Sequence, residues 1–208
     1  EIERIHETVE RAYRRGQTGE FIFVVGDYRA TKTPGTFCGN NKVSGRWWDY
    51  TVDEVVPAIE KRYRTLAELD GRGLAGDYIG GYCAIRTAME RPGVFSSVYA
   101  LHPVGMESGA GVMRTVPNWE DIHNAKSFED LNQASGYSRA FVMMAQSHAP
   151  NANKPPFYAD FMMQPKDGQL VADSEAITQL RENFSLNNRV KHSVTALKSL
   201  KGFMLNVR

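Results

Sequence analysis

The sequence predicts an α/β fold in which helices flank a parallel sheet, and three observations support this. Helical and strand patterns alternate along the first half of the chain, in the order helix, strand, helix, strand, helix, strand. The strand pattern at Arg72–Gly76 runs through a glycine-framed turn directly into a helical pattern. The composition of the 208 residues, 42% hydrophobic and 11% aromatic, is typical of a globular protein, which predicts a single domain over residues 1–208.

The chain opens with a helix and a strand. Ile5, Val9 and Tyr13 recur every four residues ahead of a glycine, which predicts an amphipathic helix. The apolar run Phe21–Val25 is bounded by a second glycine and predicts a short buried strand. A long polar and aromatic loop follows over residues 35–50.

A second helix is predicted from a capping box. Thr51 and Glu54 have the spacing of that motif, so we expect the helix to begin at Thr51. Pro57 lies where it would kink the helix. Its apolar face comprises Val52, Val55, Val56, Ile59 and Tyr63.

The next unit is strand, helix, strand. The patterns place strands at Arg72–Gly76 and Val94–Leu101 and a helix of small residues at Ile79–Met89. Right-handed crossovers bring the turn after the first strand to the carboxyl edge of the sheet.

The remaining chain divides into two parts. Residues 103–168 are rich in glycine, proline, asparagine and methionine, with modest helices near Ser127 and Phe141, which predicts an insertion that caps the sheet edge. Regular patterns then return as a helix over Val190–Leu200 and a strand over Gly202–Val207.

Charge and composition narrow the classes of partner. The formal net charge is +1 and no basic block occurs, so we expect no nucleic-acid partner. No apolar run reaches the roughly 20 residues of a membrane span, and the first ten residues are not a signal peptide, although a signal already removed leaves no trace. Cys38 and Cys83 allow one disulfide at most, and neither they nor the histidines have metal-ligand spacing. We expect no metal and no cofactor, and the cellular compartment stays open.

The turn after Arg72–Gly76 has the glycine frame of a G-x-S-x-G nucleophile elbow. Gly76 and Gly80 stand at the frame positions, with Asp77 before the centre, and Tyr78 stands where the frame has serine. In such an elbow the amide of the next residue, here Ile79, points at the developing oxyanion. The frame is either an elbow without its serine or a coincidence of glycines, and the flanking strand and helix favour the elbow.

Longer stretches support the elbow interpretation. They are "FIFVVGDYR", the segment Gly45–Pro103, "PPFYADF" and "VTALKSLKGFMLNV". Together they resemble the putative-esterase family of α/β-hydrolases, which includes S-formylglutathione hydrolase, feruloyl and acetyl-xylan esterases and the antigen 85 mycolyltransferases. The resemblance implies an ester hydrolase or acyltransferase scaffold with a serine, acid and histidine triad and a small-molecule ester or acyl ligand.

The sequence departs from that family pattern at several points. Tyr78 is bulkier than serine and its hydroxyl has an ordinary pKa near 10, so we expect acyl-enzyme chemistry to fail. The resemblance places the acid and the histidine beyond the strand "GFMLNV", and the second oxyanion donor before the first helix. We therefore expect the sheet to lack its first strands and its last strand, and either a longer polypeptide or a second chain to complete it.

Each candidate site residue has an ordinary alternative. Tyr78 either acts as a nucleophile or fills an inactivated serine site, and Asp77 either touches a ligand or is a polar flank of the turn. His102 either reaches the sheet edge or is a loop histidine. Trp47 and Trp48 either line an acyl pocket or pack beneath their loop.

Cys83 is interpreted as a small buried packing residue rather than a substitute thiol.

Two functions follow for the chain. It is an incomplete or inactivated ester hydrolase, or a pseudo-hydrolase that binds an ester-like or glycan-linked ligand, or a protein partner, without turnover.

Overall fold

The computed structural model describes residues 3–29, 35–106, 116–132 and 136–207. Its centre is a three-stranded parallel sheet in the order β3-β4-β7. The strands are β3 (Gly73–Asp77), β4 (Ser97–Leu101) and β7 (Gly202–Asn206). This parallel sheet with flanking helices confirms the predicted α/β fold.

The other elements connect and surround that sheet. Two short antiparallel pairs are β1 (Asn40–Asn41) with β2 (Gly45–Arg46), and β5 (Met163–Lys166) with β6 (Gln169–Ala172). The helices are α1 (Glu3–Arg14), α2 (Trp47–Asp49), α3 (Val56–Arg62), α4 (Ile79–Glu90), α5 (Trp119–Asn124), α6 (Gly136–His148), α7 (Ser174–Phe184), α8 (Leu186–Val190) and α9 (Val194–Lys198). A π-helix at Tyr50–Val55 joins α2 to α3, and 3₁₀ turns lie at Leu69–Gly71 and Asp130–Asn132.

The hydrophobic core lies between one face of the sheet and α4. Alternate residues of β4, Val98 and Ala100, point into it, and Ile85 of α4 packs from the opposite side. Phe141 and Met144 of α6 extend the same core. The insertion predicted at 103–168 therefore contributes to the core, and its role as a cap remains a prediction, with residues 107–115 and 133–135 outside the described chain.

The capping-box prediction is wrong, because the helix begins four residues before Thr51. Trp47 already has helical backbone, and the Thr51 hydroxyl bonds back to the Trp47 carbonyl oxygen at 2.9 Å. The amide of Trp48 is instead capped by the Asn40 side chain at 3.0 Å, from a residue distant in sequence. The π-helix gives way to α-helix one residue before Pro57, which lacks the amide a longer run would need.

The buried strand predicted at Phe21–Val25 is also wrong. No strand of the described chain pairs with this segment, and each of its five side chains is between 42% and 54% exposed. The apolar side chains of this run are suited to burial. A strand also needs a neighbouring strand to hydrogen-bond its backbone amides and carbonyls, and the described chain provides none for this segment.

Three smaller predictions differ from the structure. The helix near Ser127 is replaced by α5 before it and a 3₁₀ turn after it, whereas the helix at Phe141 is confirmed as α6. The single helix predicted over Val190–Leu200 is two short helices, α8 and α9. The hairpin β5–β6 was not predicted.

A buried polar cluster ties α4 to α6 and α8. Arg86 donates to the Tyr82 hydroxyl at 3.0 Å, and that hydroxyl lies 3.2 Å from His148 Nε2. Glu90 accepts from Arg86 and from Arg189, both at 2.9 Å. The burial of His148 holds its pKa well below the usual value, and the positive charges of Arg86 and Arg189 lower it further. Burial also raises the pKa of Tyr82. The neutral imidazole can accept a hydrogen bond from the Tyr82 hydroxyl at Nε2 when its own proton is on Nδ1.

Cys38 and Cys83 form a disulfide. Cys83 is partly buried and packs against the core, so its interpretation as a packing residue is incomplete, because it misses the bond to Cys38. The bond links the segment ahead of β1 to the middle of α4. Cys38 has φ of 62°, in the left-handed region that non-glycine residues rarely adopt. The loop residue beside it, Phe37, is fully buried against the rings of Tyr82 and Phe184.

Candidate functional site

The turn between β3 and α4 is a strained strand-to-helix junction. Tyr78 is the single residue between the two elements and has φ of 52° and ψ of −109°. Positive φ in a bulky aromatic residue is costly and persists only where the surroundings enforce it. The side chain of Tyr78 is partly exposed, at 37% for the residue.

Backbone hydrogen bonds hold this conformation. The Tyr78 amide donates to the Leu101 carbonyl oxygen at 2.9 Å, which extends the pairing of β3 with β4. The Tyr78 carbonyl oxygen accepts from the amides of Tyr82 at 3.1 Å and Val104 at 3.4 Å. Hydrogen bonds from α4, from β4 and from the loop after β4 therefore fix the backbone conformation of Tyr78.

Close packing of backbone against backbone makes two glycines necessary at this turn. A Cβ on Gly76 would lie 2.2 Å from the carbonyl carbon and oxygen of Gly80. A Cβ on Gly81 would lie 2.8 Å from the Leu101 carbonyl oxygen. At Gly80 itself a Cβ would meet nothing within 4 Å. The crowded pair is therefore Gly76 and Gly81, and not Gly76 and Gly80 as the frame suggests.

Asp77 and His102 meet at the carboxyl edge of the sheet. Asp77 ends β3 opposite Leu101, and His102 follows β4 with a positive φ of 39°. His102 Nδ1 lies 3.1 Å from Asp77 Oδ1, and the aspartate side chain is 68% exposed whereas the imidazole is 32% exposed. Sequence analysis selected both residues singly and missed their contact, which follows from the parallel register. A carboxylate at this distance orients an imidazole and fixes its tautomer, with the proton on Nδ1.

Ile79 begins α4, so its amide has no acceptor within the helix. The first amides of a helix carry partial positive charge, which suits a developing oxyanion. The amide follows directly after Tyr78, the central residue of the turn. Its geometry is compatible with the predicted oxyanion role, which remains a prediction.

Trp47 and Trp48 make packing contacts with aromatic and arginine side chains. The ring of Trp47 lies 6.0 Å from that of Tyr28 and 5.7 Å from that of Tyr50. The guanidinium of Arg86 stacks over the ring of Trp48 at 5.3 Å. The backbone of Arg86 lies about 12 Å from that of Tyr78 along α4, at a rise of about 1.5 Å per residue. These contacts favour the packing alternative, and a pocket role for either tryptophan stays a prediction.

The described residues contain neither a metal-binding cluster nor a helix that could span a membrane. Within the described residues, no group of three or more His, Cys, Asp and Glu side chains is arranged to hold a metal ion. Every helix of the described ranges is too short or too polar to cross a bilayer.

The fold and the turn together define an α/β protein whose candidate site stands at the carboxyl edge of a parallel sheet, where such folds bind ligands. Comparison with known proteins then names the family. The sequence profile of the family described as "Putative esterase" matches residues 2–169, and the chain belongs to that family.

Two curated relatives share this resemblance. They are Esterase MT1326 of Mycobacterium tuberculosis strain CDC 1551 / Oshkosh and Esterase Rv1288 of strain ATCC 25618 / H37Rv, each 31% identical over 106 residues. The match covers 50% of this chain and 22% of each relative, so the chain matches about a fifth of the length of these proteins. The family and the relatives support an esterase-like hydrolase scaffold.

Proposed function

We propose that this chain has the scaffold of a carboxylic-ester hydrolase or acyltransferase, that Tyr78 occupies its nucleophile position, and that it binds an ester or acyl ligand without serine-type turnover. The observation that carries the proposal is the backbone of Tyr78, with φ of 52° and ψ of −109° between a parallel strand and a helix. A nucleophile elbow uses such a strained turn to expose its central side chain at the top of the sheet. Membership of the esterase family supports the same assignment.

The chemistry expected of Tyr78 follows from its side chain. The strained turn keeps the backbone of an elbow, whereas the hydroxyl stands at the end of an aromatic ring, several ångströms farther from the Ile79 amide than a serine hydroxyl would be. A carbonyl carbon attacked by that oxygen would lie too far from this amide for the amide to stabilise the oxyanion. Ligand binding survives this displacement, but acyl transfer through the turn does not.

A second candidate function rests on the contact between His102 and Asp77. An imidazole oriented by a carboxylate beside the turn has two of the three groups of a hydrolytic triad. In this alternative His102 activates water at Nε2, and the chain hydrolyses esters without a covalent intermediate. That atom is buried and has no hydrogen-bond partner among the described residues, so this function requires that water first gain access to it. Asp77 then acts as a positioning residue that fixes the imidazole tautomer.

Ester hydrolysis by four proteins separates these functions. They are the unaltered chain, Tyr78→Ser, Tyr78→Ala and His102→Ala, assayed with p-nitrophenyl acetate and labelled with a fluorophosphonate probe. Ligand binding is measured separately, from the change in tryptophan fluorescence on titration with a p-nitrophenyl ester. The same variants are made in the longest polypeptide that contains this chain, so that residues outside it can contribute.

The binding proposal expects no turnover and no labelling of the unaltered chain, with saturable ester binding that persists in Tyr78→Ala. Labelling that appears in Tyr78→Ser would identify the turn as a silenced elbow. Turnover by the unaltered chain that is lost in a His102→Ala single variant would support the water-activation function instead. Turnover with a covalent adduct on Tyr78 would contradict both.

A further inference from the structure

The disulfide between Cys38 and Cys83 joins an irregular segment to the helix that begins at the strained turn. Cys83 lies in the second turn of α4, whose first residue follows Tyr78. Cys38 belongs to residues 36–39, called the docked segment below, which form neither helix nor strand. One covalent bond therefore connects this segment to the helix of the candidate site.

The docked segment has few other attachments. Within the described chain, no hydrogen bond between backbone groups joins residues 36–39 to another element. The Phe37 amide donates to the Ser147 hydroxyl at 3.2 Å, and the Cys38 amide donates to the Thr36 hydroxyl, inside the segment, at 3.2 Å. The entropy lost on ordering four residues is comparable with the free energy gained by burying one phenylalanine side chain. The covalent bond therefore decides whether the segment stays docked.

The backbone of Cys38 is held in a strained conformation. Its φ of 62° is costly for a residue other than glycine and persists only where the surroundings enforce it. Opening the bond to Cys83 removes one of these constraints, so the docked segment can relax to ordinary backbone angles. Strained or exposed disulfides are the readily reduced ones, and Cys83 is partly exposed whereas Cys38 is only 6% exposed. A reductant therefore attacks the sulfur of Cys83.

Phe37 connects the docked segment to the turn. Its side chain is fully buried, and its ring centroid lies 6.2 Å from that of Tyr82 and 5.7 Å from that of Phe184. The Tyr82 amide in turn donates to the Tyr78 carbonyl oxygen at 3.1 Å. Removal of Phe37 therefore takes a packing contact from the residue that helps to fix the backbone of the turn.

We propose that the Cys38–Cys83 disulfide is a redox switch for the candidate site. In the oxidised protein the bond keeps Phe37 packed on Tyr82, and the turn binds its ester ligand. In the reduced protein the docked segment opens, the contact with Tyr82 is lost, and the turn binds that ligand more weakly. The effect on ligand binding rests on the proposed function, whereas the opening of the segment does not depend on it.

A dithiol supplies the electrons for this reduction. Its first thiolate attacks the sulfur of Cys83 and forms a mixed disulfide, while the sulfur of Cys38 leaves with the bonding electron pair and takes up a proton. The second thiolate of the reductant then attacks the reductant's own sulfur in the mixed disulfide, which releases Cys83 as a thiol and closes the reductant into a cyclic disulfide. Two electrons and two protons thus pass from the dithiol to the protein.

Hydrogen exchange of the whole chain, oxidised and after reduction by dithiothreitol, tests the proposal. Reduction should speed exchange of the Phe37 and Cys38 amides by about tenfold or more and should also speed that of the Tyr82 amide, while the circular dichroism spectrum and the amides of β4 stay unchanged. The Kd for a p-nitrophenyl ester, from tryptophan fluorescence, should rise about threefold or more, because less of the reduced protein is competent to bind. Cys38→Ser with Cys83→Ser is the matched control, and it should resemble the reduced protein with or without dithiothreitol.

Unchanged exchange at Phe37 and Cys38 in the reduced protein overturns the proposal, because the bond then stabilises the fold without switching it. Loss of the circular dichroism signal on reduction also overturns it, since the whole fold and not one segment then depends on the bond. An ester Kd that is the same in both redox states has the same consequence. If the oxidised protein binds no ester, the proposed function fails separately, and the Tyr82 amide decides the switch, with unchanged exchange there overturning it.

Discussion

The strained turn makes one prediction that can be worked from distances alone. Gly76→Ala places a Cβ 2.2 Å from the carbonyl carbon and oxygen of Gly80, whereas Gly80→Ala places a Cβ where nothing lies within 4 Å. The two substitutions add the same atom four residues apart. They therefore separate the demand of close packing from the general cost or benefit of replacing a glycine.

The expected changes in the free energy of unfolding differ among the glycine variants. Gly76→Ala clashes with backbone that cannot rotate away, so β3 and α4 must separate, and overpacking of this kind costs about 3 kcal/mol of the free energy of unfolding. Gly80 lies in the first turn of α4 without steric constraint, and alanine there leaves stability unchanged or raises it by up to about 1 kcal/mol. Gly81→Ala falls between them, because its nearest contact, the Leu101 carbonyl oxygen, is at 2.8 Å.

Urea denaturation followed by circular dichroism measures the difference. With a slope of about 2 kcal/mol per molar urea, Gly76→Ala lowers the midpoint by about 1.5 M and Gly80→Ala leaves it in place or raises it slightly. The slopes must agree among the variants for the comparison to report stability. Equal midpoints for Gly76→Ala and Gly80→Ala would refute the inference that backbone contact between strand and helix sets the glycine requirement.

Three further predictions concern the disulfide and the buried cluster. Reducing Cys38–Cys83, which are 45 residues apart, lowers the free energy of unfolding by about 4 kcal/mol, and this sensitivity to reductant should vanish in Cys83→Ser; an unchanged midpoint under reductant would contradict it. His148 has a lowered pKa, so as pH falls below about 6.5 the unfolded chain binds a proton that the folded protein refuses, and stability declines by up to about 1.4 kcal/mol per pH unit. The decline is measured by urea titration from pH 7 to pH 5, and the same slope in His148→Gln would exclude this histidine as its source. Arg86→Met removes the donor to the buried Tyr82 hydroxyl, to the Asn183 carbonyl oxygen and to Glu90, and should lower the free energy of unfolding by about 3 kcal/mol. The exposed Arg14→Met leaves thermal unfolding unchanged, and equal effects of the two substitutions would contradict the cluster's role.

The elements nearest the turn were predictable because local chemistry determines them. Glycines between a strand pattern and a helix pattern indicated β3 and α4 within one residue of their observed bounds. The start of the second helix was not predictable, since its cap is the side chain of Asn40 and no local signal records it. The strand prediction at Phe21–Val25 was wrong for a related reason, because an apolar run does not indicate which strand will pair with it.

The candidate site shows the same division between local and long-range information. Tyr78 and Ile79 could be selected from the turn itself. The contact between Asp77 and His102 depends on the register of two strands 25 residues apart. The disulfide likewise joins cysteines whose spacing matches no motif. Residue types identify candidates, and only the packing of distant elements decides which of them meet.

The disulfide also makes part of the chain a covalent ring. Residues 38–83 form a macrocycle that contains Trp47 and Trp48, the whole of β3 and the strained Tyr78. A protease that cuts once within this ring opens it without releasing a fragment, so the two pieces migrate together until a reductant is added. Even in the unfolded state the ring restricts how far Trp47 and Tyr78 can separate.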